Sequence, residues 1–301
     1  MKVVITGANG AVGQALLRCT AENIAQSMTF TAAVRSAHAA GQIRPLLRDG
    51  DTVVQISYGQ PGTLVSALSG ASAVIHLPGV LIERPGSSYE QANVETTRVV
   101  VEAAKSSGTR KIVLISATGA SAASRNRYWR TKAEAENLVC ASGVSYTILR
   151  VPLLLGRGTE GAAALRRKAS GNRAMLIGGG RSLQQPLCVD DLARAAINAT
   201  SASVAKNRIL ELAGPVSLTE RELVERAARV LGRNVAITSI PKSVVSLALL
   251  LRGCLPGAGF SRDALEVITA DVSLDPQPAA TELDIALTGL DAMIKHSLEP
   301  L

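Results

Sequence analysis

The chain has 301 residues, 47% of them hydrophobic and only 2% aromatic, so it can bury a sizeable core and that core must be aliphatic. Its net charge of +8 suits either a solvated basic surface or attraction for phosphorylated ligands; no basic run carries interleaved aromatics, which argues against a nucleic-acid partner. The four cysteines, Cys19, Cys140, Cys188 and Cys254, form no CxxC pair, so neither a zinc or other metal site nor a disulfide framework is expected, and a reducing cytoplasm fits.

The N-terminus runs straight into a strand with no signal peptide. Val3, Val4 and Ile5 form a β-branched apolar run, the pattern of a buried parallel strand. Gly7, Gly10 and Gly13 follow at three-residue spacing, and Ala11, Val12, Ala15, Leu16 and Leu17 read as a helix start. A strand, a glycine turn and a helix N-terminus make an anion site, because the first amides of the helix are unpaired and the dipole is positive there. Gly7, Asn9, Gly10, Ala11, Val12 and Gly13 are therefore the first candidate cofactor-binding residues. The spacing, T-G-x-x-G-x-x-G at the first strand, resembles the short-chain dehydrogenase/reductase superfamily, and more closely its extended and atypical members.

Thr29 to Val34 reads as the second strand, ending at Arg35. The end of this strand meets the adenosine ribose in nucleotide-binding folds; an acidic residue suits a free 2′-hydroxyl, an arginine a 2′-phosphate. Arg35 thus puts NADP(H) ahead of NAD(H). Thr52 to Ile56 is the third strand. The resemblance places Ser57 where the superfamily usually carries an aspartate facing the adenine. Ala73 to Leu77 is the fourth strand, and the resemblance runs Leu77, Pro78 and Gly79 beneath the cofactor. His76, within that strand, reads as a packed histidine. Residues 80 to 90 read as a mobile loop near the substrate. Asn93 opens a helix from Val94 to Lys105; the resemblance has it support the active site from beneath, and a plain helix cap is the other reading.

Lys111 to Ile115 is the fifth strand, ending at Ser116-Ala117-Thr118-Gly119. Twelve residues past Ser116 comes Tyr128-Trp129-Arg130-Thr131-Lys132. Tyr-x-x-x-Lys on a helix places both side chains on one face, one turn apart. An ammonium beside a phenol lowers the phenol's pKa, so Tyr128 can pass a proton to or from a carbinol oxygen. Ser116, or else Thr118, would hold the same oxygen; many relatives have a Ser-Ser pair where this chain has Ser116-Ala117. The helix is expected to run on from Thr131 to Ser142. Ser145 to Leu149 is the sixth strand, and Arg150-Val151-Pro152 resembles the family's strand exit. That resemblance puts the backbone of Val151 and Pro152 against the nicotinamide amide.

Residues 157 to 182 are rich in Gly, Arg and Ala. Arg166, Arg167, Lys168 and Arg173 suit a solvated helix face, or an anionic substrate. Val189-Asp190-Asp191-Leu192 resembles a family junction in which the first aspartate caps a helix running to about Thr200. Ile209 to Leu212 is a short strand. Ser217 to Leu231 is an amphipathic helix, with Thr219 and Glu222 as a capping box. Val235 to Ile240 is a strand. Val244 to Leu255 is aliphatic but too short to span a bilayer; it suits a core helix first, then a lid over an apolar substrate or a homodimer face. Asp284 to Leu298 reads as a last helix.

Alternating strands and helices predict an α/β fold, a doubly wound parallel (Rossmann) sheet with a smaller C-terminal α+β substrate domain. Residues 1–155 would bind NAD(P), with about 189–213 rejoining that part, and 156–301 would mostly bind substrate. The resemblance covers most of the chain and groups it with the NAD-dependent epimerase/dehydratase family, near the branch related to the NADPH-binding accessory subunit of respiratory complex I. It implies an NADP(H)-dependent oxidoreductase of the short-chain type, acting on a small-molecule carbonyl or secondary alcohol. A nucleotide-sugar epimerase with bound NAD and a non-catalytic NADP(H) sensor or assembly subunit are the alternatives.

Overall fold

The computed structural model describes residues 1–20, 27–252 and 260–299. Its first half alternates strand and helix: β1 (Lys2–Thr6), α1 (Ala11–Cys19), β2 (Thr29–Val34), α2 (Ala37–Ile43), β3 (Thr52–Gln55), α3 (Pro61–Leu68), β4 (Ala73–His76), α4 (Thr96–Ser107), β5 (Lys111–Ala117), α5 (Arg127–Cys140) and β6 (Ser145–Val151). Six strands and a later one, β11, form one parallel sheet in the order β11-β6-β5-β4-β1-β2-β3. Before β11 (Arg208–Glu211) come β7 (Leu154–Leu155), α6 (Glu160–Ala169), β8 (Arg173–Ile177), β9 (Leu183–Gln184), β10 (Leu187–Cys188) and α7 (Val189–Asn198). After it come β12 (Leu218–Thr219), α8 (Glu220–Val230), β13 (Ala236–Ile240), α9 (Lys242–Arg252), α10 (Arg262–Ile268), α11 (Gln277–Glu282) and α12 (Leu290–Leu298).

The period-2 alternation of the strands sends their side chains into two different cores. Val3, Ile5, Val113 and Ile115 pack with α1 and α7, whereas Val4, Ile112 and Leu114 pack with α3 and α4. A third core, without the sheet, joins α6, α8 and α12 through Leu165, Leu223, Ala227 and Met293. β1 and β4 are neighbours although three strands apart in reach of the chain, so strand order reverses between them. Ligands of open parallel sheets lie beyond the strand ends at such a reversal, which is where Gly7 and Leu77 emerge.

Several expectations need correction. Asn93 neither caps nor opens an α-helix: it lies inside a π-helical turn, Glu90–Glu95, that precedes α4. Asp190 is not the cap of α7. Cys188 holds the N-cap position without a side-chain bond; Asp190 lies 3.1 Å from His296 Nε2, and buried Asp191 accepts from Thr288 N and Oγ1. The helix with Tyr128 and Lys132 starts at Arg127, where the Asn126 side chain caps it, and ends at Cys140 rather than Ser142. The last helix begins only at Leu290: Asp284 takes a φ of 50°, outside the helical region, and extended Gly289 holds the N-cap position. The aliphatic helix α9 is not core: Val244 and Leu247 are more than half exposed, and its predicted extension to Leu255, like Cys254, lies outside the described residues. No helix among the described residues is long and apolar enough to cross a membrane.

Candidate active site

Thr6 ends β1, and Gly7 turns the chain with a φ of 74°, a conformation that glycine adopts without penalty. Gly10 N donates to Gly7 O (3.0 Å), and Gln14 Nε2 donates to Asn9 O (2.9 Å), which pins the loop over the start of α1. Gly10 holds the N-cap position with no side-chain bond, so the first amides of α1 face the cleft bare. A Cβ on Gly13 would overlap the Ala8 backbone, so this glycine sets the close approach of helix to turn. Bare amides, a left-handed turn and a helix packed close upon it are what a pyrophosphate requires, and the residues present fit a dinucleotide.

The cleft has two arms. In one, Gly7, Asn9 and Gly10 face Arg35, Leu77, Pro78 and Gly79. Arg35 is exposed, and its guanidinium makes no ion pair among the described residues. Half-buried Tyr58 lies beside it, and burial pushes the Tyr58 phenol up while its hydrogen bond with Thr6 and the Arg35 charge pull it down. Ser57 lies further out with Arg35 and Tyr58, its amide bonded to Thr63 Oγ1 (2.9 Å). In the other arm, Gly7 and Gly10 to Gly13 face Leu77, Pro78, Gly79, Ser116, Tyr128, Lys132, Val151 and Pro152. Asn93 does not line the cleft. It is fully buried behind Gly79, donates from Nδ2 to Thr131 Oγ1 (3.0 Å), and leaves Oδ1 without a partner. Thr118 also falls outside this arm and lines the cavity beyond Tyr128.

α5 delivers Tyr128 and Lys132. Asn126 Oδ1 accepts from Tyr128 N (3.0 Å) and Trp129 N (3.4 Å), while its Nδ2 donates to Asp263 O and Glu266 Oε2, both at 3.0 Å. One side chain thus caps α5 and ties it to α10. Lys132 is 4% exposed; its Nζ donates to Pro78 O (2.8 Å) and Ile115 O (3.4 Å) and lies 6.0 Å from the Tyr128 ring centre. Gly79 makes the room, since a Cβ there would come within 2.8 Å of that nitrogen. Tyr89 meets the Tyr128 ring edge-on at 5.6 Å, and its hydroxyl donates to Leu81 O (2.8 Å).

The expectation that Lys132 lowers the phenol's pKa is not met. Burial raises the Tyr128 phenol above its ordinary range, with the Tyr89 charge adding to the rise. Removal from water decides the direction. Lys132 itself is pulled down to about 8 by burial, partly offset by Glu136. Buried His76, pushed down to about 3 by burial and then by Lys132, is neutral. Thr97 spends its one proton on Asn93 O (2.5 Å), so His76 Nε2 must donate to Thr97 (3.1 Å) and Nδ1 accept from Thr6 (2.6 Å).

Both candidate substrate hydroxyls are already engaged. Ser116 Oγ donates to Glu136 Oε1 (2.6 Å), and Thr118 Oγ1 donates to Glu211 Oε2 (3.2 Å). Arg150 joins the two carboxylates, through Nε and a terminal nitrogen to Glu136 (2.9 and 2.6 Å) and through the other to Glu211 (3.2 Å). Glu136, Glu211, Tyr58 and Tyr89 are the residues that sequence reasoning missed. Glu136, four residues past Lys132 on the same helix face, carried the one readable signal.

Residues 7–177 match the model of a family described as NAD(P)H-binding. The chain belongs to that NAD(P)H-binding family. Among its relatives is the ceramide reductase of Caulobacter vibrioides, 31% identical over 157 residues, which are 52% of this chain and 47% of that protein. The NADH dehydrogenase [ubiquinone] 1 alpha subcomplex subunit 9, mitochondrial, of Arabidopsis thaliana is 31% identical over 169 residues, 54% of this chain and 41% of that one. The chain thus spans about half the length of these curated relatives, and the second bears out the expected branch. In fold, the NADPH-dependent quinone oxidoreductase of Escherichia coli complexed with NADPH superposes with a TM-score of 0.73 at 22% identity, over 99% of this chain and 100% of that one. The sheet of this NAD(P)H-binding protein is the doubly wound one expected.

Proposed function

We propose that this chain is an NADP(H)-dependent oxidoreductase that interconverts a carbonyl and a secondary alcohol, with residues 1–155 holding the nucleotide and 156–301 mostly forming the substrate side. The observation that carries the reading is that Tyr128 and Lys132 line the same arm of the cleft as the glycine turn. NADPH held in the cleft would supply the hydride for the carbonyl carbon, the nucleotide leaving as NADP⁺. Tyr128 Oη gives its proton to the carbonyl oxygen, so the C=O is reduced to CH–OH. A phenol that burial keeps protonated suits this direction. The Lys132 ammonium, mostly charged at neutral pH, then stabilises the phenolate left behind. Asn93 and Glu136 hold α5 and Lys132 in place from below. Ser116 or Thr118 has to exchange its carboxylate acceptor for the substrate oxygen before it can assist.

Arg35 favours NADP(H), since an unpaired guanidinium at the end of β2 is positioned for a 2′-phosphate. The scattered cysteines, with no CxxC pair, fit a reducing compartment, and we infer a cytoplasmic location from that spacing. The engaged hydroxyls of Ser116 and Thr118 favour one second reading, a non-catalytic NADP(H) sensor. Tyr128→Phe separates the two. In an oxidoreductase, NADPH-dependent reduction of any carbonyl compound returned by a substrate screen falls about 10²- to 10⁴-fold while NADPH binding persists. Undiminished turnover in the variant removes Tyr128 from the reaction.

A further inference from the structure

The cleft continues past Tyr128 into a cavity of about 400 Å³, a volume suited to a small ligand. The two spaces share Ala11, Val12, Gly79, Tyr128, Val151 and Pro152, so a molecule in the cavity reaches the reacting end of the cofactor cleft. Its far walls are Trp129 and Leu153 on one side and Val267, Ile268 and Val272, the stretch around the end of α10, on the other.

Thr118, Thr159 and Gln184 spend polar groups on the protein itself, whereas the buried Nε1 of Trp129 has no partner among the described residues. Thr118 donates to Glu211. Thr159 Oγ1 donates to Gly156 O and caps α6, and Gln184 Nε2 donates to Ser182 Oγ and Ile268 O. The one charged residue among the described lining residues is Glu160, an anion; no lysine or arginine is among them. Of the three basic residues of the neighbouring helix, Lys168 pairs with Glu220 (2.5 Å), Arg166 donates to the carbonyls of Leu298 and Glu299, and exposed Arg167 does not line the cavity. A pyrophosphate here would lose its hydration against apolar walls and a carboxylate with no cation in return, which is prohibitive.

We infer that the cavity takes an uncharged lipophilic carbonyl compound, its oxygen at Tyr128 and its apolar body between Trp129 and the Val267–Val272 wall, and that it rejects nucleotide-linked sugars and other phosphorylated substrates. The inference deepens the proposed oxidoreductase and rests on it.

Trp129 is the only tryptophan of the chain, so its fluorescence reports this wall without requiring turnover. The full chain, saturated with NADP⁺, is titrated with straight-chain methyl ketones of five to eleven carbons, and separately with UDP-glucose. Each added methylene is expected to tighten ketone binding about three- to fourfold until the cavity is full. UDP-glucose is expected to leave the signal unchanged and not to compete. Saturable UDP-glucose binding, or ketone binding that is absent or independent of chain length, overturns the inference. Val272→Lys is expected to abolish the chain-length dependence while NADP⁺ affinity stays within twofold; an unaltered dependence would place the ketones elsewhere and also overturns it. The two readings fail differently. Chain-length-dependent binding with no NADPH oxidation by any ketone leaves the cavity assignment standing and removes the oxidoreductase.

Discussion

The Lys132 ammonium is buried against two carbonyl oxygens, and burial pulls its pKa down to about 8. In the unfolded chain a lysine titrates near 10.4, so between these values the unfolded state binds more protons than the folded one. Lys132 therefore favours folding fully above the higher value and loses that contribution as the pH falls toward 8. Relative to Lys132→Met, the wild type should gain stability from pH 8 to pH 10; denaturant midpoints of both proteins across that range check the sign, and parallel curves would contradict it. His76 acts in the same sense in acid. Its folded value of about 3 lies below the unfolded 6.5, so its contribution is complete above pH 6.5 and is lost as the pH falls toward 3. Replacing His76 by Gln should flatten the acid limb of the stability profile. The Lys132 shift was not legible in the sequence: Tyr-x-x-x-Lys shows which charges are neighbours, but not that the side chain leaves water, whereas His76 already read as packed within its strand.

α5 and α1 carry the site, and each is held by one feature of its first turn. Asn126 caps α5 and also binds α10, whereas Thr219 caps α8 with Glu222 at the surface. Losing either cap costs about 1 kcal/mol, and only Asn126→Ala also gives up an inter-element tie, so its urea midpoint should fall further than that of Thr219→Ala. In α1, Gly13→Ala forces a methyl onto the Ala8 backbone; a loss of about 1–3 kcal/mol is expected, together with weakened nucleotide binding. These elements were readable because their signals are local: three glycines in seven residues, a tyrosine and a lysine one turn apart, a threonine three residues before a glutamate. The network behind them was not. Ser116 meets Glu136 across 20 residues, Arg150 meets Glu211 across 61, and Thr118 meets Glu211 across 93. Only the order of β5, β6 and β11 in the sheet brings them together. Asp190 was misplaced for a similar reason, as its partner His296 is distant in the chain and the neighbouring Asp191 meets Thr288 across 97 residues.

At the scale of the molecule, the reversal of strand order between β1 and β4 opens the cleft, and the segment after β6 adds the apolar cavity to its far end. Arg35 stands at one extreme of this groove and Tyr128 near its middle, so the roles proposed for them, nucleotide choice and proton transfer, fall to different parts of one surface. That division predicts separable variants: Tyr128→Phe disables turnover and keeps nucleotide affinity, whereas Arg35→Ser changes nucleotide choice and keeps the acid. Titration calorimetry of the wild type and Arg35→Ser with NADPH and NADH would come first. The wild type is expected to bind NADPH at least about tenfold more tightly than NADH, the worth of one or two charge-assisted bonds to the 2′-phosphate, and Arg35→Ser to lose that preference. Equal or tighter binding of NADH by the wild type, or no binding of either nucleotide, would contradict an NADP(H)-dependent oxidoreductase.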